Sequence, residues 1–116
     1  MKPRRKLYEL LVKNEIPTKQ AKVLACFEND NERLTSWEIQ VRTRLQQPQI
    51  STSTRCLQTR GWLKVTTIPK PAKGRPYFEY ALAHPMREIL EKVAECRMAD
   101  LSKAQGYIDE LLAIDV

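Results

Sequence analysis

The sequence predicts a mainly α fold with a β-hairpin and a long C-terminal helix, and three observations predict it. Apolar residues recur at helical spacing through most of the chain. Two runs of period two flank one Pro- and Gly-punctuated loop, as in a hairpin. The last stretch, after Pro85, carries apolar residues near heptad spacing with no further proline. At 116 residues and 42% hydrophobic content, the chain has room for one modest core and an extension, not two independent domains. The expected division is a globular unit over residues 1–84 and a helical extension over 85–116.

A basic arm opens the chain, with Lys2, Arg4, Arg5 and Lys6 and no apolar run behind them that would make a targeting signal. Leu7, Leu10 and Leu11 then stand at helical spacing, and Pro17 closes this first helix. Thr18 is the expected N-cap of a second helix with Ala21, Leu24, Ala25 and Phe27 as its apolar stripe. Asn29, Asp30 and Asn31 end it. Thr35 and Glu38 fit a capping box, in which hydroxyl and carboxylate each take an orphan N–H at a helix start, so a third helix is expected over 36–45.

Gln46, Gln47 and Pro48 break that helix, and a fourth is expected over 48–60, since proline needs no donor in a first turn. This fourth helix carries four consecutive hydroxyl residues, Ser51 to Thr54, which are mediocre helix formers. At about 100° per residue, Ile50, Thr54 and Leu57 turn inward. The opposite face holds Pro48, Thr52, Arg55, Cys56 and Thr59, with Gln49 and Ser51 on its flanks. Such a face is small, polar and cationic, suited to a groove where it meets phosphates and base edges.

The runs LKVTTI and YFEYAL alternate, the first placing Leu63, Val65 and Thr67 on one side, the second Phe78, Tyr80 and Leu82. The loop between them holds Lys70, Lys73 and Arg75, giving the hairpin a basic tip. His84 is the expected cap before Pro85, and a last helix is expected over 85–114. Its seam runs through Met86, Leu90, Val93, Leu101, Ala104, Ile108 and Leu111. A rod of roughly 45 Å is longer than so small a domain can cover, which points to a partner helix. Gly106 marks an expected bend or close helix approach.

Charge is segregated along the chain. The net charge is +6, and no acidic residue falls between Glu38 and Glu79, whereas Arg42, Arg44, Arg55, Arg60, Lys64, Lys70, Lys73 and Arg75 all do. This window is an electrostatic footprint for phosphate. Cys26, Cys56 and Cys96 are far apart with no CxxC, so neither a zinc site nor a disulfide framework is indicated, and a reducing, intracellular setting is expected. Cys56, beside Arg55, reads either as a small neutral residue or as a reactive thiol. No apolar run is long enough to span a membrane. One histidine and no recognisable catalytic constellation argue against an enzyme, and no cofactor is expected.

The order of elements, with several spacings, resembles the winged helix-turn-helix transcriptional regulators, especially the MarR, TrmB and ArsR-like groups. Thr35-Ser36-Trp37-Glu38-Ile39 is similar to the "T-x-x-E-I" that opens the first helix of the helix-turn-helix. Pro48-Gln49-Ile50-Ser51, with Leu57 and Gly61 beyond it, is similar to the "P-x-V-S … L-x-x-x-G" of the recognition helix. Trp62 leads toward the wing, and Lys73-Gly74-Arg75-Pro76 is similar to many wing tips. The stretch from Glu15 to Phe27 is similar to a helix of TrmB-like domains. The likeness covers roughly residues 16–82. Gln40 departs from a usually small residue and Thr54 from a larger apolar one, and the metal-binding thiols of ArsR-type proteins are absent, as is the sugar-binding extension of full-length TrmB proteins.

The resemblance implies a winged helix-turn-helix domain plus a long C-terminal dimerisation helix, acting as a homodimeric, sequence-specific regulator on double-stranded DNA. The fourth helix would enter the major groove, with the wing over about 63–82 on backbone or minor groove. The expected DNA-binding residues are Arg42, Arg44, Gln49, Ser51, Thr52, Ser53, Arg55, Thr59, Lys73 and Arg75. Those of the dimer interface are Leu7, Leu10, Leu11, Leu90, Val93, Leu101, Ala104, Ile108 and Leu111. A cytoplasmic, nucleoid-associated protein is implied, with an unknown small-molecule effector as an option. The competing reading is a winged-helix protein-interaction module of a transcription or RNA-processing assembly, which would favour an apolar or acidic outer face on the fourth helix.

Overall fold

The computed structural model describes residues 4–69 and 77–115. Its elements are α1 (Arg5–Lys13), α2 (Thr18–Ala25), β1 (Arg33–Thr35), α3 (Ser36–Thr43), α4 (Gln47–Thr59), β2 (Leu63–Ile68), β3 (Tyr77–Leu82) and α5 (Met86–Leu112). The expected helices and hairpin are present in the expected order. The short strand β1 was not legible, because three residues cannot show a period of two. It pairs antiparallel with β3, Leu34 opposite Tyr80, and completes a sheet of order β1-β3-β2. The hairpin tip with Lys70, Lys73 and Arg75 lies outside the described residues.

The helix ends follow local chemistry. Thr35 Oγ1 accepts from Glu38 N at 3.2 Å while Glu38 Oε1 accepts from Thr35 N at 3.0 Å, the reciprocal pair expected at the start of α3. Two expected caps are corrected. Thr18 is the first helical residue of α2 and Pro17 its N-cap, without a side-chain cap bond. His84 does not cap α5: Pro85 occupies that position, and Asp30 Oδ1, from the loop after α2, accepts from Met86 N at 2.9 Å. A cap supplied from 56 residues away leaves no local signature.

Buried side chains come from nearly every element: Leu24 within and Phe27 just after α2, Leu34 of β1, Ile39 of α3, Ile50 and Leu57 of α4, and Ile89 of α5 are almost fully buried. The end of α2 is held by two arginines. Arg4 takes the carbonyls of Ala25 and Phe27 through its backbone N–H and its guanidinium, and Arg42 Nη1 donates to the Cys26 carbonyl at 2.9 Å. Cations at a helix C-terminus satisfy orphan carbonyls and complement the dipole. Burial pushes the Cys26 thiol up to about 12, so this cysteine is a packing group rather than a nucleophile.

Helix α5 divides in two. Met86, Ile89 and Val93 are buried, Leu90 packs beside them, and Arg97 reaches Glu15 at 3.7 Å. From Met98 onward every described residue is exposed, and the chain extends 73 Å along its longest axis against 25 and 24 Å across. Gly106 lies within this unbroken helix, and nothing among the described residues lies within 4 Å of the space a Cβ there would fill. The expected close approach at Gly106 is therefore not made among the described residues.

Candidate nucleic-acid interface

Helices α3 and α4 meet across the turn 44–46, which the sequence fixes with side-chain bonds. Thr43 Oγ1 donates to the Ile39 carbonyl and accepts from Leu45 N, and Gln49 Oε1 accepts from Gln46 N at 3.1 Å. Gln47 Nε2 donates to Gln40 Oε1 at 2.7 Å, tying the first residue of α4 to α3. The unusual size of Gln40 thus has a use as a strut across the turn. Arg44 at its start has φ 62°, a left-handed conformation that costs a residue with a Cβ about 1 kcal/mol. Arg44→Gly is accordingly expected to leave stability unchanged or raise it by up to about 1 kcal/mol, while weakening any phosphate contact. A melt beside a duplex titration checks both, and a clear fall in melting temperature would contradict it.

On α4, Thr52, Ser51, Arg55 and Thr59 are exposed and Gln49 and Cys56 half-buried, close to the expected outward face. The hydroxyls are accommodated by the helix itself: Thr52, Thr54 and Thr59 donate back to the carbonyls of Pro48, Ser51 and Arg55 at 3.0 to 3.1 Å. Thr54, expected to be larger and apolar, is buried with its hydroxyl satisfied in this way. Ser53 is corrected: at 3% exposure it is buried where α4 meets α2 and is not available to a groove.

Arg42 is also corrected. Its guanidinium is bound bidentately by Glu32 at 2.7 and 2.9 Å, and both side chains are largely covered. It serves the fold. Among the described residues no carboxylate pairs with Arg44, Arg55, Arg60 or Lys64, all of them exposed, and the Arg60 guanidinium lies over the Trp62 ring at 5.1 Å from its centroid. Gly61 at φ 81° closes α4 with Gly61 N bonded to the Gln58 carbonyl and Trp62 N to the Leu57 carbonyl, a Schellman ending that sets the direction of the hairpin. Lys73 and Arg75 belong to its tip, outside the described residues.

Hairpin register pairs Leu63 with Leu82, Val65 with Tyr80 and Thr67 with Phe78. The base of this face is buried, but the hairpin outruns the core, leaving Val65 and Phe78 nearly half exposed. They join Ser51, Arg55 and Gln58 of α4 around a cleft of about 200 Å³. The alternation placed Val65 with Leu63 and Phe78 with Tyr80 and Leu82, but could not show that the core ends before reaching Val65 and Phe78. Of the interface residues expected for a dimer, Leu11 and Val93 are buried in the chain's own core and Leu7 and Leu90 pack against it. That removes Leu11 and Val93 from any surface. Leu10, Leu101, Ala104, Ile108 and Leu111 are exposed.

Three helices, a short strand, a fourth helix reached through a tight turn and a two-stranded hairpin define a winged helix-turn-helix fold. Solved structures share it. A possible transcriptional regulator from Methanosarcina mazei Go1 aligns with a TM-score of 0.69 at 8% identity, over 90% of this chain and 86% of that one. BpsR of Bordetella bronchiseptica, whose DNA binding is regulated by 6-hydroxynicotinic acid, aligns at 0.53 and 19% identity over 95% of both chains. TrmBL2, an archaeal chromatin protein with a novel mode of DNA binding, aligns at 0.56 and 20% identity, over 93% of this chain and 40% of its own. No family model and no curated protein matches the sequence.

Proposed function

We propose that the chain is a transcriptional regulator that binds specific double-stranded DNA as a homodimer, with α4 in the major groove and the hairpin on the backbone or minor groove. The observation that carries this reading is the acid-free exposed face of α4, where Ser51, Thr52, Arg55 and Thr59 are exposed, with exposed Arg44 in the turn before the helix and exposed Lys64 in the strand after it. A solvated helix face ordinarily mixes both signs; a face that keeps only cations and small polar groups suits a polyanion. Gln49, with its amide nitrogen still free to donate, and Thr52 lie in the first turns of α4, the end that meets base edges when such a helix enters the groove. Support comes as well from the names of the proteins that share the fold. A small-molecule effector that modulates this binding belongs to the same proposal.

Duplex titrations across a salt series test it. With 6 to 10 phosphates contacted per dimer, affinity is expected to fall by about 10³ to 10⁵ between 50 and 200 mM salt. Arg55→Ala should flatten that slope, whereas Arg42→Ala should not once folding is controlled for. A flat salt response would overturn the proposal.

A further inference from the structure

Helix α3 turns an apolar strip to solvent on the side away from the core. Trp37 and Val41, one turn apart, are 67% and 52% exposed, whereas Ile39 and Thr43 of the same helix are buried. At about 100° per residue, Val41 lies about 40° from Trp37 around the helix and Ile39 about 160° from it. Nothing in the fold asks for this indole. The second position of a helix favours an acid over Trp, and the start of α3 is already secured by the Thr35 and Glu38 pair. The elements that chiefly pack on α3 are α2, α4, β1 and β3, while the apolar surface proposed for a second copy belongs to α5 and α1.

Charge around the strip is one-sided. Arg33, in β1 just before the cap, and Arg44, at the end of α3, are exposed, and no carboxylate pairs with either among the described residues. The acids of this stretch are engaged within the fold, Glu32 with Arg42 and Glu38 with the Thr35 N–H. Trp and Arg are enriched where proteins meet, and a Trp contributes most where a partner's apolar side chain excludes water from it. Both ends of α3 are tied, by the capping box and by the Gln47 to Gln40 bond, so the indole is carried on a rigid element and little order has to be gained on binding.

We propose that the Trp37 and Val41 strip is a docking surface for another protein, engaged through a short acidic segment with an apolar anchor. The anchor covers the indole and Val41, and the carboxylates beside it meet Arg33 and Arg44. Duplex DNA is the poorer fit: an aliphatic side chain offers nothing to a phosphate, and the exposed hydroxyls that do stand on α4. The surface goes beyond the DNA reading and does not depend on it.

The test uses the full chain without DNA, so its failure and that of the DNA reading are separable. A short synthetic peptide of leucine and glutamate at helical spacing is titrated while the Trp37 indole N–H and Val41 methyl resonances are followed. Versions with lysine for glutamate, or serine for leucine, serve as controls. The acidic peptide is expected to shift both resonances saturably, and each control should bind about tenfold more weakly or worse. Trp37→Ala, read at Val41, should weaken the acidic peptide by about tenfold or more, and Arg33→Gln by about threefold. Both positions are exposed, so both variants should melt as the wild type does. No saturable shift, equal binding of the lysine peptide, or unchanged binding in Trp37→Ala would overturn the proposal. A duplex that moves both resonances where the acidic peptide does not would assign the strip to DNA, and movement on dilution of the chain alone would assign it to a second copy; either result overturns the proposal too.

Discussion

Arg42→Ala is expected to destabilise the fold by about 3 kcal/mol, the cost of leaving a covered carboxylate without its bidentate partner, and so to lower the melting temperature by roughly 10 °C. The residue holds three pieces at once. Its guanidinium joins α3 to Glu32 in the loop before β1 and to the Cys26 carbonyl at the end of α2, while Glu32 Oε1 also accepts from Glu28 N and closes that loop. The Arg42 hydrogen bonds are the main reason the Glu32 carboxyl is held below its ordinary value, and the same contact raises Arg42. A carboxyl depressed in the folded state contributes stability that is present above its unfolded pKa and lost as pH falls through the folded one. The wild-type protein should therefore lose on acidification a contribution that Arg42→Ala lacks, and the gap between their melting temperatures should narrow at acid pH. Arg42→Lys, which keeps the charge but not the fork, should fall between the two. A gap that does not change with pH would show that the pair is not the source of the stability.

The same residue shows why part of the interface was illegible. Along the sequence Arg42 is one of eight cations in an acid-free window, and nothing marks it as different from Arg44. Its partner lies ten residues earlier, across a loop whose path depends on β1 reaching the edge of β3, a pairing that three residues do not announce. Ser53 fails for a related reason. A helical wheel built on Ile50, Thr54 and Leu57 gives one inward stripe, but α2 packs on a second sector and buries Ser53 as well. What was legible is what depends on near neighbours: the Thr35 and Glu38 box, the helix beginning beside Pro48, the Gly61 ending and the two alternating runs. The cap that Asp30 gives α5, the edge strand and the distance at which the core stops beneath Val65 all depend on the assembled chain.

Leu101→Glu combined with Ile108→Glu is expected to convert the protein into a folded monomer. At about 100° per residue, Met86, Leu90, Val93, Leu101, Ala104, Ile108 and Leu111 share one side of α5, with Arg97, which reaches Glu15, falling between the inner and outer halves of the stripe. The protomer covers Met86 and Val93 and half-covers Leu90, yet it leaves Leu101, Ile108 and Leu111 at 55%, 49% and 67% exposure. On the proposed homodimeric reading, the outer half of this stripe is the surface that a second copy would cover, and exposed Leu10 of α1 would add apolar surface to it. Because Leu101 and Ile108 touch nothing in the protomer's core, the double variant should keep its melting transition as a monomer. Two carboxylates placed in an apolar interface cost several kcal/mol, about 3 kcal/mol or more, which exceeds what a small helical interface can spare. In the proposed reading a two-fold dimer would set two copies of α4 in successive major grooves roughly 34 Å apart, so specific binding should fall far more than the salt-dependent non-specific binding that each chain retains. Sedimentation reads the association state, and titration of a selected duplex against a scrambled one reads the ratio. An unchanged dimer, or a monomer with undiminished preference for the selected duplex, would show that α5 does not set the spacing.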